Sequence, residues 1–502
     1  MGFYEILEEQ GLLELLQRVD YVQPDFQNWA DVRSAFTDIV SNQRSVFVIG
    51  DYDVDGLMCN LVFGDGLQRL GVRNYKIYEY YKRTHLLDPM AVQQCIQGRY
   101  DYCIICDCGS HDVSLLRKLL NYGIKIILLD HHKTMISYEG YKELGDIAVI
   151  NTTLEQPELH LSAGALCYCV MHQILVDYGI AEGGLSAYAT ISLFADCMDM
   201  SDKLNRSIYY VSAKLEQSEI PNNIQMFMNQ YHKLNARFIN FWYAPRINAM
   251  FRSENLDVLN RLYLTKDVLA SDLAACLSEI NSQYEIIRDM ATCVADLIDV
   301  EELDTFVIGN LNTVNAHYDI QKHSLWNYTG LIANKLSDRY SKTGFVFCNN
   351  NNFIKGSVRD LFGRDYLATF SQICAAEGHP SAFGTRIQLL EFEDFMNNLH
   401  RVDKKFAITT VPNKPIIINY PYATPDTALI EDMANINEFS GTHVPQLLLR
   451  KQRVGDLRER KTDYGFHYRW GDYIIQSKHA VGFGRQMLLR PYKSYTTKLQ
   501  VQ

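Results

Sequence analysis

Short apolar runs punctuate the first third of the chain at nearly regular intervals. They are Ser45-Val46-Phe47-Val48-Ile49-Gly50, Lys76-Ile77-Tyr78-Glu79-Tyr80, Cys103-Ile104-Ile105-Cys106 and Lys125-Ile126-Ile127-Leu128-Leu129. Each is too short for a helix and rich in β-branched residues, so each predicts a buried strand. Helical patterns such as Val113 to Tyr122 separate them, and residues 1–40 read as polar helical segments broken at Pro24-Asp25. Strands alternating with helices predict βαβ units and a parallel sheet, in which ligands bind beyond the carboxyl ends of the strands.

From about residue 200 to 300 the pattern turns helical. Between Ser271 and Asp299, apolar residues at Leu273, Leu277, Ile280, Tyr284, Ile287, Val294 and Leu297 keep spacings close to three or four. A helix of that length spans roughly 40 Å at 1.5 Å per residue, enough to connect two domains. Strand-like runs return at Thr305-Phe306-Val307-Ile308 and Gly344-Phe345-Val346-Phe347 around a helical stretch Tyr328 to Tyr340, predicting a second, smaller α/β domain. The last hundred residues carry proline breaks and short strands (Pro415-Ile416-Ile417-Ile418, Gln446-Leu447-Leu448-Leu449) and read as a β-rich module. The expected divisions are 1–44, 45–210, 211–300, 301–400 and 401–502.

A length of 502 residues fits this multi-domain reading, and 47% apolar with 21% charged residues excludes wholesale disorder. No apolar run reaches about 18 residues, and the first residues look like neither a signal peptide nor a myristoylation site. Twelve scattered cysteines point to reduced thiols and a cytoplasmic protein. The formal net charge of −11 argues against a general nucleic-acid binder only if it is evenly spread.

It is not. The first strand empties into Asp51-Tyr52-Asp53-Val54-Asp55-Gly56, the third into Cys106-Asp107-Cys108-Gly109 and the fourth into Asp130-His131-His132. Three carboxylates within six residues repel one another, a cost usually borne where a cation binds. An EF-hand fails because its twelfth position is Val62 rather than Glu. Hard oxygen donors mixed with imidazole suit manganese or a similar divalent ion. Two such ions about 3.5–4 Å apart can clamp a phosphodiester. Cys103, Cys106 and Cys108 invite a zinc site, but no second cysteine pair completes four ligands. Tyr78, Tyr80 and Tyr81 lie near the first acidic loop, where packing is the simpler role than base stacking.

These three motifs resemble the first three of the DHH phosphoesterases. Ala195-Asp196, followed by Asn205-Arg206, is similar to the fourth motif as found in the RecJ branch. Ala244-Pro245-Arg246-Ile247-Asn248-Ala249, with Arg252, resembles a connector motif of that branch. Gly356-Ser357-Val358-Arg359 and Gly378-His379-Pro380-Ser381-Ala382-Phe383-Gly384 resemble the DHH-associated domain, and Phe439-Ser440-Gly441 with Pro445 the entry to an OB-fold. The resemblance runs from about residue 45 to 455.

It implies an α/β architecture: a parallel-sheet DHH domain, a long connecting helix, a smaller α/β DHH-associated domain and a C-terminal β-rich, OB-like module. Asp53, Asp55, Asp107, His131 and Asp196 match the ligands of two manganese ions, magnesium being an alternative, with Asp107 as the bridge. Asp51 and Asp130 match supporting positions and His132 a residue reaching the scissile phosphate. Arg246, Asn248, Arg252, Ser357, Arg359, Gly378 and His379 match the substrate-binding set. The chain departs from the pattern at Ile49, where some members place a metal-binding His, and at Glu377, where Gly is usual. One extra residue also separates Asp196 from Asn205-Arg206.

Residues 444–502 hold twelve basic against four acidic residues, a surplus of eight that leaves −19 for residues 1–443. Interleaved aromatics at Tyr464, Phe466, Tyr468, Trp470, Tyr473 and Phe483 make this tail the composition of a single-strand-binding module. The resemblance therefore implies a metal-dependent exonuclease of single-stranded DNA acting 5′ to 3′ through two-metal-ion activation of water. A single-strand-binding protein or a helicase would be its protein partner, and no membrane is involved. The rival readings are a DHH phosphodiesterase for short oligonucleotides or cyclic dinucleotides, and a catalytically inactive DHH scaffold in a replication or repair complex.

Overall fold

The computed structural model describes residues 3–81, 86–228, 233–264, 270–314, 326–360, 364–406, 415–420, 424–440, 444–451, 458–462, 465–470, 472–477, 487–492 and 498–501. The chain divides into two compact units, one comprising residues 1–280, 417–439 and 447–502 and the other residues 281–416 and 440–446.

In the first unit, β1 (Val46–Gly50), β2 (Tyr75–Ile77), β3 (Tyr102–Cys106), β4 (Lys125–Asp130) and β5 (Ile147–Asn151) form a wholly parallel sheet in the order β2-β1-β3-β4-β5. β1, β3 and β5 are buried along their whole length, as strands covered on both faces must be. The expected second strand is cut short after Ile77. Tyr80, placed in it by the apolar pattern, instead bonds through its backbone N–H and C=O to the side-chain amide of Asn260, at 2.8 Å each. The sheet order reverses between β1 and β3, so the crevice at their carboxyl ends is the topological switch point. Helices Val54–Arg69, Ala163–Asp177 and Leu185–Ala195 are buried almost throughout and pack on one another beside this edge.

The C-terminal segments add the helix Thr427–Glu438 and most of a seven-stranded, largely antiparallel sheet to this unit. Its strands are β12 (Ile416–Tyr420), β13 (Leu447–Lys451), β14 (Arg458–Thr462), β15 (Gly465–Trp470), β16 (Tyr473–Ser477), β17 (Met487–Tyr492) and β18 (Lys498–Val501). Here the β-rich expectation holds, with one helix the apolar pattern did not separate. Of the tail's basic and aromatic residues, Arg453, Lys478, Arg485, Lys493, Tyr464 and Phe483 lie outside the described residues.

The second unit is built on a six-stranded sheet, β10-β11-β9-β8-β7-β6. Its strands are β6 (Asp299–Glu302), β7 (Phe306–Asn310), β8 (Thr343–Asn350), β9 (Phe353–Arg359), β10 (Ala375–His379) and β11 (Ala382–Gln388). One face carries the core of Phe306, Phe345, Ile354, Val358, Phe383 and Ile387, closed by Phe395 and Leu399 from the helix Phe392–Phe406. On the other face, helix Thr329–Tyr340 covers β8 and the edge of β9. The long amphipathic helix expected over 271–299 is present as Ala270–Leu297. Among the described residues no helix is long and apolar enough to cross a membrane.

Candidate metal centre

The loop after β1 is held so tightly that it tolerates no side chain at Gly56. A Cβ there would stand 2.3 Å from the Asp51 amide nitrogen. Asp53 caps the helix Val54–Arg69, its carboxylate accepting from the Gly56 N–H at 3.0 Å. Asp55, in the first turn of that helix, is almost fully buried. It accepts from the backbone N–H groups of Ala163 (2.9 Å) and Gly164 (2.8 Å) at the start of helix Ala163–Asp177, and from the Ser192 hydroxyl. Gly164 is required for that approach, since its Cβ would meet Ser192 Oγ at 2.7 Å and Asp55 Oδ1 at 3.0 Å.

Asp107 follows β3 in the left-handed region, with φ +62°, and is also buried. His131 follows β4 and sits among the acids. Its Nε2 lies 3.2 Å from Asp107 and 3.9 Å from Asp55, and its Nδ1 3.7 Å from Asp196, the residue capping the end of helix Leu185–Ala195. Donor atoms of Asp51, Asp53 and Asp107 lie within 4.8 Å of one another, as do those of Asp107, His131 and His132. Asp130 is fully buried and accepts from the backbone N–H of His131 (2.8 Å) and His132 (3.2 Å) and from His132 Nδ1 (2.8 Å).

The electrostatics follow from this crowding. Burial, then the charges of Asp196 and Asp53, push Asp55 up to about 8. Burial and the charges of Asp55, Asp53 and Asp51 hold Asp107 well above the carboxylate range. Burial alone would lift Asp130 too, but the charge and hydrogen bond of His132 hold it well below the usual range. Burial opposes protonation of His132, yet Asp130 outweighs it and the imidazole is pushed up to about 10. A cluster of acids this strained by mutual repulsion fits a cation, and five carboxylates with one imidazole match hard divalent ions such as Mn2+ or Mg2+. Asp51, Asp53, Asp55, Asp107, Asp196 and His131 are the side chains that would hold them.

Residues 45–197 match the DHH family, N-terminal domain. All six candidate ligands fall within that stretch. The chain is 23% identical over 421 residues to the single-stranded-DNA-specific exonuclease RecJ of Bacillus subtilis (strain 168), covering 80% of this chain and 48% of that one. It is 21% identical over 386 residues to the RecJ of Haemophilus influenzae, covering 71% and 65%. The chain thus spans about half to two thirds of the length of these relatives. Its fold is similar to that of RecJ from Thermus thermophilus, crystallised with Mn2+, with a TM-score of 0.71 at 16% identity over 99% of this chain and 74% of that one.

Other expected residues fall as follows. Asn205 and Arg206 do not face the acids. The buried Asn205 amide donates to the carbonyls of His160 (2.8 Å) and Asp199 (2.9 Å), and Arg206 donates to that of Ser201, so both brace the turn after Asp196. Arg246, Asn248 and Arg252 lie on the helix Ala244–Ser253 of the first unit. Arg246 is buried, stacked 3.5 Å from the Trp242 ring centre and donating to the Trp242 carbonyl. Ser357, Arg359, Gly378 and His379 lie on the second unit's sheet, where Ser357 Oγ and Thr329 Oγ1 stand 2.8 Å apart. The cysteines of the C-x2-C-x-C stretch diverge: the Cys103 thiol faces Cys95, whereas Cys106 faces Cys59 and Cys167. Tyr78 and Tyr80 are buried, the first donating to Asp88 (2.7 Å), while Tyr81 is exposed. Sequence reasoning missed Ser192, Gly164 and Asn260, which hold the site from helices far along the chain.

Proposed function

We propose that this protein is a metal-dependent exonuclease that hydrolyses phosphodiester bonds of single-stranded DNA from the 5′ end, with two Mn2+ ions as cofactor. The observation that carries the reading is the convergence of Asp53, Asp55, Asp107, His131 and Asp196, from four separate elements, on one switch-point crevice. The names of the RecJ relatives support the substrate class and the 5′ polarity rests on the resemblance alone. Held by these side chains, such ions would supply Lewis acidity, offsetting the charge of the phosphodiester and lowering the pKa of a water toward neutrality.

The chain's own groups do the rest. Asp55 is oriented by three donors and Asp107 by its backbone, so the ligands are preorganised. The Asp130-paired His132 keeps its charge and is partly exposed, placed to hold a phosphate oxygen or to deliver a proton to the leaving oxygen. Arg246, Asn248, Arg252, Ser357, Arg359, Gly378 and His379 are the proposed strand contacts, and the basic C-terminal sheet, read as OB-like, the strand-gripping module. Single-strand-binding protein or a helicase is the proposed partner.

The test is degradation of 5′- and 3′-labelled single-stranded and duplex DNA, with and without Mn2+, by the wild type and Asp107→Asn. Mononucleotide release from the 5′ end of single strands by the wild type alone is expected. An inert wild type, or an equally active variant, overturns the proposal.

A further inference from the structure

The two faces of β9 and β11 in the second unit are chemically opposite. Both strands alternate strictly, with Ile354, Val358, Phe383 and Ile387 turned into the core and Lys355, Ser357, Arg359, Ala382, Gly384 and Arg386 on the other face. The register sets that second face out in rungs. Arg359 opposes Ala382, which opposes His379; Ser357 opposes Gly384, which opposes Glu377; Lys355 opposes Arg386, which opposes Ala375. Side chains in register share a face, so cations stand at both ends of a floor made small by Ala382, Gly384 and Ala375. The N-terminus of helix Thr329–Tyr340 walls this floor, Thr329 touching Ser357.

The rung at the end away from His379 belongs to no motif of the sequence. Lys355 and Arg386 are like charges set directly opposite, an arrangement that costs stability unless an anion sits between them. Among the described residues neither has a carboxylate within 4.0 Å. Each instead lies over an aromatic ring, Lys355 Nζ 4.3 Å from the centre of Trp326 and the Arg386 guanidinium 3.8 Å from that of Phe353. Burial, then the charge of Arg386, lowers the Lys355 ammonium. Beside them opens a cavity of about 440 Å³ lined by Phe353, Cys374, Ala375, Arg386, Gln388 and Glu391.

We infer that Lys355, Arg386 and the Phe353 cavity form a second nucleotide site, in which the paired cations hold a backbone phosphate of single-stranded DNA and the cavity takes a base. The strand would run along the small-residue floor between this rung and the Arg359–His379 rung, roughly 13 Å apart at about 3.3 Å per residue. A phosphate relieves the repulsion, the two rings exclude water beside it, and a base can stack on the exposed edge of the Phe353–Arg386 pair. The inference rests on the exonuclease reading and deepens it, because it makes affinity depend on strand length.

The experiment measures fluorescence anisotropy of labelled oligo(dT) of 3 and 12 nucleotides over a salt series, on the full chain carrying Asp107→Asn to prevent degradation. Lys355→Ala/Arg386→Ala in that background is expected to weaken the 12-mer at least tenfold and leave the 3-mer unchanged. It is also expected to reduce the slope of log K against log salt by about 0.7, the value for one phosphate neutralised on a single strand. Phe353→Ala is expected to weaken the 12-mer several-fold without changing the slope. If the double variant matches its parent in both affinity and slope, the site is wrong while the exonuclease reading stands. If the parent itself binds no single strand, both fall together.

Discussion

Asp107 Oδ1 stands 3.2 Å from His131 Nε2, although the two residues leave the sheet from different strands, β3 and β4. Parallel register brings them together: Cys106 pairs with Leu129, so the next residues of both strands emerge at one edge. Asp107→Asn keeps the shape and the left-handed backbone, which Asn tolerates, while removing a ligand charge. Activity is expected to fall at least a thousandfold and manganese binding by calorimetry to be lost at one site or both. The metal-free variant is expected to be more stable than the wild type, by about 1–2 kcal/mol, because a neutral amide replaces a carboxyl whose ionised form burial and its acidic neighbours oppose. Unchanged metal binding overturns the ligand assignment.

Stability without metal has a defined pH dependence. Asp55 is pushed up to about 8 from 3.8, so the folded chain retains a proton that the unfolded chain has released across that window. That contribution is fully present below about pH 4 and drains as pH rises through 8. In EDTA, Tm is expected to fall by several degrees between pH 5 and pH 8. Millimolar Mn2+ is expected to raise Tm more at pH 8 than at pH 5, because the ligands bind deprotonated. A flat metal-free profile refutes this.

Asp130→Asn removes the charge that keeps His132 protonated. Wild-type activity is expected to persist to about pH 9 as far as this group is concerned. In the variant the imidazole returns toward its ordinary 6.5, so turnover falls as pH rises through 7. Manganese affinity is expected to change little, which separates this role from ligation. The readout is the kcat–pH profile beside calorimetry.

Much of this site was legible because buried parallel strands read as uninterrupted apolar runs, and the residues following β1, β3 and β4 were therefore exposed as the edge to inspect. What holds them was not. Asp55 is fixed by Ala163, Gly164 and Ser192, and Tyr80 by Asn260, partners whose spacing reflects tertiary packing rather than any local pattern. The helix Thr427–Glu438 had a local signal, Asp426 capping Leu429 after a proline, that the surrounding short strands obscured.

Glu377 offers a test of the sheet face. It shares a rung with Gly384 and Ser357, placing an acid between the basic rungs. Glu377→Gly is expected to tighten single-strand binding about three- to tenfold at low salt, with the gain shrinking as salt rises. Anisotropy measured at two ionic strengths decides it.

Gly56→Ala forces a methyl group against the Asp51 amide, backbone that cannot yield. A loss of about 2–4 kcal/mol is expected, read as a drop in Tm, together with loss of metal binding.

Glu438 accepts from the Ala236 N–H at 2.7 Å and from the Tyr209 hydroxyl at 3.2 Å, buried among residues made some two hundred positions earlier. During synthesis, the ribosome therefore emits the metal-binding sheet long before the segment that completes its unit. Most of the second unit, residues 281–416, is translated in between. Until residue 438 has left the exit tunnel, Tyr209 and the Ala236 amide must be kept by water or a chaperone. A chain stalled before that point would hold every proposed metal ligand and still lack a finished core.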